Sequence, residues 1–183
     1  MYLLYVFYIK QNLLMKLSST LIVLFFAQNA LSAQDYSDSI SVNFFLLDEC
    51  RISQSVSGEI NYVDSVYNTV PFYFKAYFPS ELRRDEQIDK FIKAYKLDID
   101  YSADYDRLAT NFYGASVAPE VVVYDERNKK ILYKGRIDNS YADVGVRRRV
   151  TTSRDLRNVL QLILEGKVIN DSQTKAIGCY LNH

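Results

Sequence analysis

Histidine, cysteine and tryptophan are scarce in this chain, and their scarcity restricts its chemistry. The 183 residues include one histidine, His183, two cysteines and no tryptophan. A zinc site needs about four Cys, His or carboxylate ligands at short spacings, and that set is missing. A Ser-His-Asp or Cys-His relay is disfavoured, because the only imidazole belongs to the last residue. We therefore expect neither a metal nor an organic cofactor.

The chain also lacks an excess of charge of either sign. Its 22 Lys and Arg residues balance 22 Asp and Glu residues, so the formal net charge is +0. Nucleic acids and anionic membrane surfaces attract basic patches, and this balance favours neither as a partner. Hydrophobic residues make up 49% and charged residues 24%, the composition of an ordinary globular domain. The length suits one domain preceded by a targeting segment.

The first 33 residues have the pattern of a secretory signal peptide. Apolar residues fill most of positions 17–27, directly after Met15 and Lys16, and the small-residue run Ala-Leu-Ser-Ala follows at 30–33. A basic start, a short apolar run and a small-residue cleavage site describe such a peptide. We predict that translation starts at Met15 and that residues 1–33 are an extension and signal peptide.

Export would place the remaining chain, residues 34–183, in the periplasm or outside the cell. Disulfides persist in those compartments. The rival interpretation is an uncleaved membrane anchor. The uninterrupted apolar run is shorter than the ~20 residues that a spanning helix needs, which favours cleavage. Membrane contact is expected only through an uncleaved signal segment.

Strand and helix signals alternate along residues 34–183. Short apolar runs predict strands, and apolar residues at spacings of three and four predict helices. The predicted strands lie at 42–47, 70–78, 97–99, 121–124 and 131–137, and the predicted helices at 52–67, 88–95, 108–112 and 152–163. The last two strands flank a short polar turn and should form an antiparallel hairpin. The order indicates an α/β fold with a central mixed sheet flanked by helices on both faces.

Further features locate the ends of these elements. Gly114 predicts the C-cap of the third helix. Thr152 and Asp155 form a capping-box pattern that predicts the start of the last helix. A polar loop is expected at 138–150, and a tail at 167–183 carries the second cysteine.

Cys50 lies between the first predicted strand and the first predicted helix. A thiolate there is favoured by the helix dipole and free N–H groups, and Arg51 acts in the same direction. Asp48 and Glu49 oppose it by like-charge repulsion. The sequence leaves this balance open, and a buried structural cysteine is the alternative interpretation.

The strand–Cys–helix junction resembles that of thioredoxin-like proteins. The segment at 117–120, Val-Ala-Pro-Glu, resembles the cis-proline loop of that fold, which faces the active cysteine and binds the partner's backbone. The fuller resemblance is to redoxin-domain proteins of exported bacterial type, related to the alkyl hydroperoxide reductase and thiol-specific antioxidant group. It extends over roughly residues 40 to 180 and is carried by segments 50–53, 119–121, 133–138, 152–156 and 174–179. The resemblance implies a thioredoxin-like fold and redox chemistry at Cys50.

The chain departs from these families at informative positions. Thioredoxins carry Trp-Cys-x-x-Cys, and here Glu49 and Ser53 replace the Trp and the second Cys. Dithiol exchange within that motif is therefore excluded. Peroxiredoxins place Thr three residues before the peroxidatic Cys, where this chain has Leu47, so a standard peroxidase is disfavoured. The residue before the proline, often Thr, is Ala118.

Cys179 has three candidate roles. It could resolve a sulfenic acid or a mixed disulfide at Cys50, form a permanent disulfide with it, or stay unpaired on the tail. Bonding needs the two Cα atoms within ~7 Å, and the sequence does not determine that distance.

The leading hypothesis is a thiol-disulfide redox protein of the cell envelope. Cys50 would attack a disulfide or be oxidised, and Cys179 would resolve it. The substrate-binding candidates are Ala118 and Pro119, which would hold the partner chain, with Arg51 and Ser53 beside the cysteine. The expected partner is a protein thiol or disulfide, and the expected state is a monomer. The alternatives are a non-catalytic binding protein on the same scaffold and, less favoured, a peroxidase.

Overall fold

The computed structural model describes residues 40–69, 71–170 and 172–181. The predicted signal peptide, its start at Met15 and the histidine at position 183 lie outside the described residues. No helix within the described residues is long and apolar enough to cross a membrane.

Strands and helices alternate through the first two thirds of the described chain. The helices are α1 (Arg51–Tyr67), α2 (Asp85–Tyr95), α3 (Leu108–Tyr113) and α4 (Asp155–Leu164). The strands are β1 (Ile40–Phe45), β2 (Phe72–Pro79), β3 (Asp100–Asp104), β4 (Val117–Ala118), β5 (Glu120–Asp125), β6 (Lys130–Gly135), β7 (Tyr141–Asp143), β8 (Val146–Arg147) and β9 (Cys179–Tyr180).

The main sheet is mixed and has the strand order β3-β2-β1-β5-β6. Strands β1, β2 and β3 run parallel, whereas β5 is antiparallel to both β1 and β6. Strand β1 lies at the centre, and all six of its residues are buried. Both of its faces are covered, so the strand is mainly apolar, and its polar residues Ser41 and Asn43 are buried as well. The predicted hairpin is confirmed as the pair β5 and β6.

Helices cover both faces of this sheet, as predicted. Consecutive residues of a strand point to opposite faces, so Phe44 and Phe45 belong to two different cores. Phe44 packs in the larger core, which receives apolar side chains from α1, α2 and α4. Phe45 packs in the smaller core against Tyr113 of α3. The apolar residues whose spacing predicts α1 are buried, but Ser57 and Glu59, which that spacing places on the polar face, are buried too. The predicted C-cap Gly114 ends α3 in a left-handed conformation.

The strand predicted at 97–99 is wrong. Leu97 and Ile99 are buried in the connection after α2, and the strand itself is β3, which follows them. Its sequence, Asp-Tyr-Ser-Ala-Asp, carries little apolar signal because β3 is an edge strand, and only its last residue is buried. An edge strand with little burial does not need an apolar run, and apolar runs were the basis for predicting strands.

The capping box predicted at Thr152 and Asp155 is also wrong. Helix α4 begins at Asp155 with Arg154 as its N-cap, and no side chain caps it. The backbone N–H groups of Thr152 and Ser153 instead donate to the Oδ1 atom of Asn139, both at 2.9 Å. The Asn139 amide therefore holds the segment just before the helix, and the backbone N–H of Leu156 in the first turn donates to the carbonyl oxygen of Ile137 at 3.1 Å. The polar loop predicted just before this helix contains the short hairpin of β7 and β8.

The C-terminal segment lies along the main sheet and then crosses to β4. The backbone N–H of Thr174 donates to the carbonyl oxygen of Lys134 in β6 at 3.0 Å. Strand β9 pairs antiparallel with β4, and Leu181 is buried in the smaller core. Within the described part of the predicted tail, residues 179–181 thus pack at the edge where the two cysteines meet.

Candidate active site

Cys50 occupies the junction between the central strand and α1. It is the N-cap residue of α1, with extended backbone angles, and only 2% of its surface is exposed. Its carbonyl oxygen accepts the backbone N–H of Gln54 at 3.0 Å, which begins the helix. A side chain at this position lies against the free N–H groups of the first helical turn.

Cys179 lies directly beside Cys50, although the two are 129 positions apart. The Sγ atoms of the two residues are 2.8 Å apart, and both are free thiols in this structure. The pairing of β9 with β4 produces this contact, because it sets Cys179 opposite Ala118. The two Sγ atoms are therefore close enough for a disulfide to form between them.

Hydrogen bonds favour the thiolate form of Cys50. Burial by itself would raise the pKa of the Cys50 thiol. A hydrogen bond from the Cys179 thiol and others from backbone N–H groups, including those of Ser53 and Ile52, outweigh burial and lower this pKa. A lowered pKa is the mark of a nucleophilic cysteine.

Cys179 has the opposite preference. Burial, its hydrogen bond to Cys50 and the negative charges of Cys50 and Glu49 raise its pKa to about 12. Cys179 therefore keeps its proton and donates it toward Cys50. Two adjacent cysteines with pKa values shifted in opposite directions can divide the roles of attacking thiolate and later resolving thiol.

The predicted proline loop lies against the same cysteine. The peptide bond between Ala118 and Pro119 is cis. The carbonyl oxygen of Ala118 is 3.4 Å from the Sγ atom of Cys50 and accepts a hydrogen bond when Cys50 is a thiol. Pro119 borders a narrow cleft together with Ile52 and Ile177. The structure thus brings Ala118 into contact with the cysteine pair, and Pro119 lies in the adjoining cleft.

The other two candidate residues have different surroundings. Arg51 is exposed at the first position of α1. The side chain of Ser53 is fully buried, and its Oγ atom accepts the backbone N–H of Leu47 at 3.2 Å. Ser53 therefore helps to hold the strand end to the helix, and its backbone N–H reaches the Cys50 sulfur. Substrate contact by either residue stays a prediction.

Sequence reasoning missed an arginine beside the site. Arg84 contacts the carboxylate of Asp48 through its Nε and Nη2 atoms, and its Nη2 atom lies 3.3 Å from Glu49. These are the two acidic residues expected to suppress the thiolate. No local signal connects Arg84 with Asp48, which lies 36 positions earlier in the chain. Among the described residues, no group of three or more His, Cys, Asp and Glu could hold a metal ion.

Solved structures match the chain across most of its length. No known family profile and no curated protein matches it. An uncharacterized conserved protein from Geobacillus kaustophilus superposes with a TM-score of 0.69 at 22% identity, covering 81% of this chain and 79% of the other. A hypothetical protein from Sinorhizobium meliloti 1021 gives a TM-score of 0.67 at 22% identity, covering 79% and 80%.

A thiol-disulfide protein is also among the matches. A protein assigned as the thiol:disulfide interchange protein DsbE of Chlorobium tepidum gives a TM-score of 0.51 at 17% identity, covering 72% of this chain and 82% of the other. These likenesses, with the mixed sheet and its covering helices, show that the fold is thioredoxin-like and confirm the predicted fold class. The chain thus has a thioredoxin-like fold, with a close cysteine pair just beyond the end of its central strand.

Proposed function

We propose that this protein is a thiol-disulfide oxidoreductase in which Cys50 attacks and Cys179 resolves. The observation that carries the proposal is the 2.8 Å contact between their Sγ atoms, at the amino end of α1. The lowered pKa of Cys50 and the raised pKa of Cys179 support this division of roles. The thioredoxin-like fold adds support, because a structural neighbour assigned as a thiol:disulfide interchange protein shares it.

The reaction transfers two electrons between the cysteine pair and a protein partner. The Cys50 thiolate attacks a partner disulfide, forms a mixed disulfide and expels the second partner sulfur as a thiolate, which takes up a proton. Cys179 then attacks the sulfur of Cys50, and the proton that it loses goes to the departing partner sulfur. The mixed disulfide breaks, the Cys50–Cys179 disulfide forms and the partner leaves with both cysteines reduced. The reverse sequence oxidises a partner dithiol.

We place this activity in the cell envelope, in a domain formed by residues 34–183 behind a cleaved signal peptide. The signal-peptide pattern of residues 1–33 supports export, and an oxidising compartment lets the cysteine pair cycle. N-terminal sequencing of the protein recovered from the envelope fraction tests the location. A mature chain that begins near residue 34 agrees with the proposal, and a chain that keeps its first residues inside the cell contradicts it.

The test of the redox function is thiol counting across a series of redox buffers. Intact mass after thiol alkylation shows how many cysteines are free in the native protein at each buffer potential. We expect one Cys50–Cys179 disulfide that opens and closes reversibly near the redox poise of the envelope. Cys50→Ser and Cys179→Ser serve as controls, since neither can form the bond. Cysteines that never pair, or a bond that resists reduction in the folded protein, would leave a non-catalytic binding scaffold as the better account.

A further inference from the structure

The tail that carries Cys179 occupies the backbone edge beside the cis peptide bond as an added strand. In β9, Cys179 pairs with Ala118 and Tyr180 pairs with Val117, in antiparallel register. The backbone N–H of Leu181 extends the pairing, since it donates to the carbonyl oxygen of Ser116 at 3.0 Å. An extended peptide that adds to a strand edge makes these same contacts.

The positions of this tail segment differ in how much space the site leaves for a side chain. A Cβ atom on Gly178 would lie 2.1 Å from the carbonyl oxygen of Ala118 and 2.4 Å from its carbonyl carbon, so a larger residue does not fit. Tyr180 is 81% exposed, which leaves its identity free. Leu181 is 4% exposed and packs in the smaller core with Phe45. A segment that pairs with this edge therefore needs glycine at the position of Gly178 and an apolar residue at the position of Leu181. The position of Tyr180 can hold any residue.

We propose that residues 178–181 are an internal substitute for the partner, and that the site captures extended protein segments with this same Gly-Cys-x-apolar pattern. The inference rests on the proposed function and names its substrate class. A partner segment enters by exchanging with the tail on residues 116–118. Main-chain hydrogen bonds hold either strand, and the tight space at the glycine and the buried apolar site select the sequence.

Strand exchange also orders the redox steps. While a partner segment is bonded to Cys50 and paired with Ala118, the tail cannot pair there, so Cys179 is held away from the mixed disulfide. When the tail returns, Cys179 loses its proton and attacks Cys50, and the partner cysteine leaves as a thiol. The tail and the partner segment therefore compete for the same strand edge, and the return of the tail both resolves the mixed disulfide and releases the partner.

The test uses synthetic peptides as partners for the full-length Cys179→Ser protein. The first peptide has the sequence of residues 174–181, with its cysteine activated as a disulfide to a coloured aromatic thiol. Three others carry the changes G178V, L181S or Y180A. Release of the coloured thiolate measures the rate of attack by Cys50. The protein's own tail competes equally with all four peptides, so the ratios of their rates report sequence selection.

We expect the unchanged and Y180A peptides to react at similar rates, and the G178V and L181S peptides about tenfold more slowly, the equivalent of about 1.4 kcal/mol. Equal rates for all four peptides would overturn the inference and leave the redox function intact. A Cys50 that reacts with none of them, and not with the free aromatic disulfide either, would overturn the proposed function itself.

A second measurement changes the tail of the protein instead of the peptide. In the chain that keeps Cys179, Leu181→Ser should loosen the tail, slow Cys50–Cys179 disulfide formation and speed the reaction with the unchanged peptide. Tyr180→Ala is the matched control and should alter neither rate, because that side chain is exposed. If a folded Leu181→Ser protein forms its disulfide and reacts with the peptide at the wild-type rates, the tail does not compete with the partner segment. If that variant does not fold, the peptide series alone decides.

Discussion

Arg84 holds the carboxylate of Asp48, two residues before the candidate nucleophile. Its Nε atom lies 3.0 Å from Oδ1 and its Nη2 atom 2.7 Å from Oδ2, while Glu49 is a further partner of the same guanidinium. The acidic pair at 48–49 would repel a thiolate at Cys50 if it were unpaired. The arginine therefore supplies a counter-charge to the two acidic residues, while the hydrogen bonds to Cys50 lower its pKa.

Removing this guanidinium charge should raise the pKa of Cys50. In Arg84→Gln the two carboxylates lose their counter-charge, so the thiolate is less favoured. We expect alkylation of Cys50 near neutral pH to slow about two- to fivefold, since a partly exposed charge interaction contributes up to about 1 kcal/mol. Arg84→Lys keeps the charge and is the matched control. A pH profile of alkylation in the Cys179→Ser background measures both, and coincident profiles would refute the role of Arg84.

The thiol of Cys179 should itself lower the pKa of Cys50. Cys179→Ala removes the hydrogen-bond donor, whereas Cys179→Ser retains a hydroxyl donor at the same place. A hydrogen bond to a charged group contributes about 1.5–3 kcal/mol, so the alanine variant should have the higher Cys50 pKa. Thiolate absorbance during a pH titration gives that pKa in each variant. Equal pKa values in the two variants would show that the backbone N–H groups alone stabilise the thiolate.

The tail packs directly against Gly135 through Thr174, so a larger residue at position 135 should displace the tail. Gly135 has a φ of +152°, and a Cβ atom there would lie 2.2 Å from the Oγ1 atom of Thr174 and 2.4 Å from its carbonyl oxygen. Gly135→Ala should displace the tail and slow Cys50–Cys179 disulfide formation severalfold, with a loss of about 1–3 kcal/mol in the free energy of unfolding.

Gly145 offers a matched control for this substitution. It also has a positive φ, of +76°, but no neighbouring atom lies within 4 Å of the position that a Cβ would take. Gly145→Ala should therefore strain the backbone without affecting the tail. Disulfide formation in a redox buffer and denaturant unfolding measure both variants. A Gly135→Ala protein that closes its disulfide at the wild-type rate would contradict the prediction.

Burial of Glu120 should make stability fall as the pH rises. Burial raises the pKa of this carboxyl, against the lowering effects of the Ser116 and Val117 N–H groups and of the Lys134 charge. The folded protein therefore holds a proton that the unfolded chain releases near its ordinary pKa of about 4.3. The free energy of unfolding should decrease as the pH rises from that value through the folded-state pKa.

Glu120→Gln removes this titration while keeping an oxygen that can accept the Ser116 N–H. Its free energy of unfolding should lack the decrease and exceed that of the wild type at neutral pH. Denaturant titrations at a series of pH values measure the difference between the two proteins. A difference that does not change with pH would show that Glu120 does not titrate in the expected way.

Gly58 is a site where substitution should stabilise the protein. It lies inside α1 on the exposed face, and no atom is within 4 Å of the position that a Cβ would take. Gly58→Ala should raise the free energy of unfolding by about 0.5–1 kcal/mol, because alanine loses less backbone entropy in a helix. The Cys50–Cys179 redox equilibrium should not change. A less stable variant would mean that the helix is strained at this position.

Local patterns predicted most of the fold. The spacing of Ile52, Val56, Ile60 and Val63 predicted α1, and its burial follows that face. The apolar runs predicted β1, β2 and the β5–β6 hairpin, which differ from the predictions by a few residues at their ends. These elements were predictable because helical and strand periodicity depend on neighbouring residues alone.

Elements shaped by distant partners escaped prediction. The polar edge strand β3 carries little apolar signal, and the segment before α4 is held by hydrogen bonds to Asn139, more than ten positions away. The pairing of Arg84 with Asp48 has no local signature either. The hydrogen bonds of Asn139 and the ion pair of Arg84 join residues that lie far apart in the sequence and meet only in the folded protein.

The sequence by itself determined the order of strands and helices, the position of Cys50 at a strand–helix junction and the proline segment that resembles a cis-proline loop. Only the tertiary structure decided that Cys179 meets Cys50. That contact depends on the tail pairing with β4, and the close approach there requires Gly178 against the Ala118 carbonyl. Spacing along the chain carries no information about such a distance, because a tail can reach many sites and packing selects one.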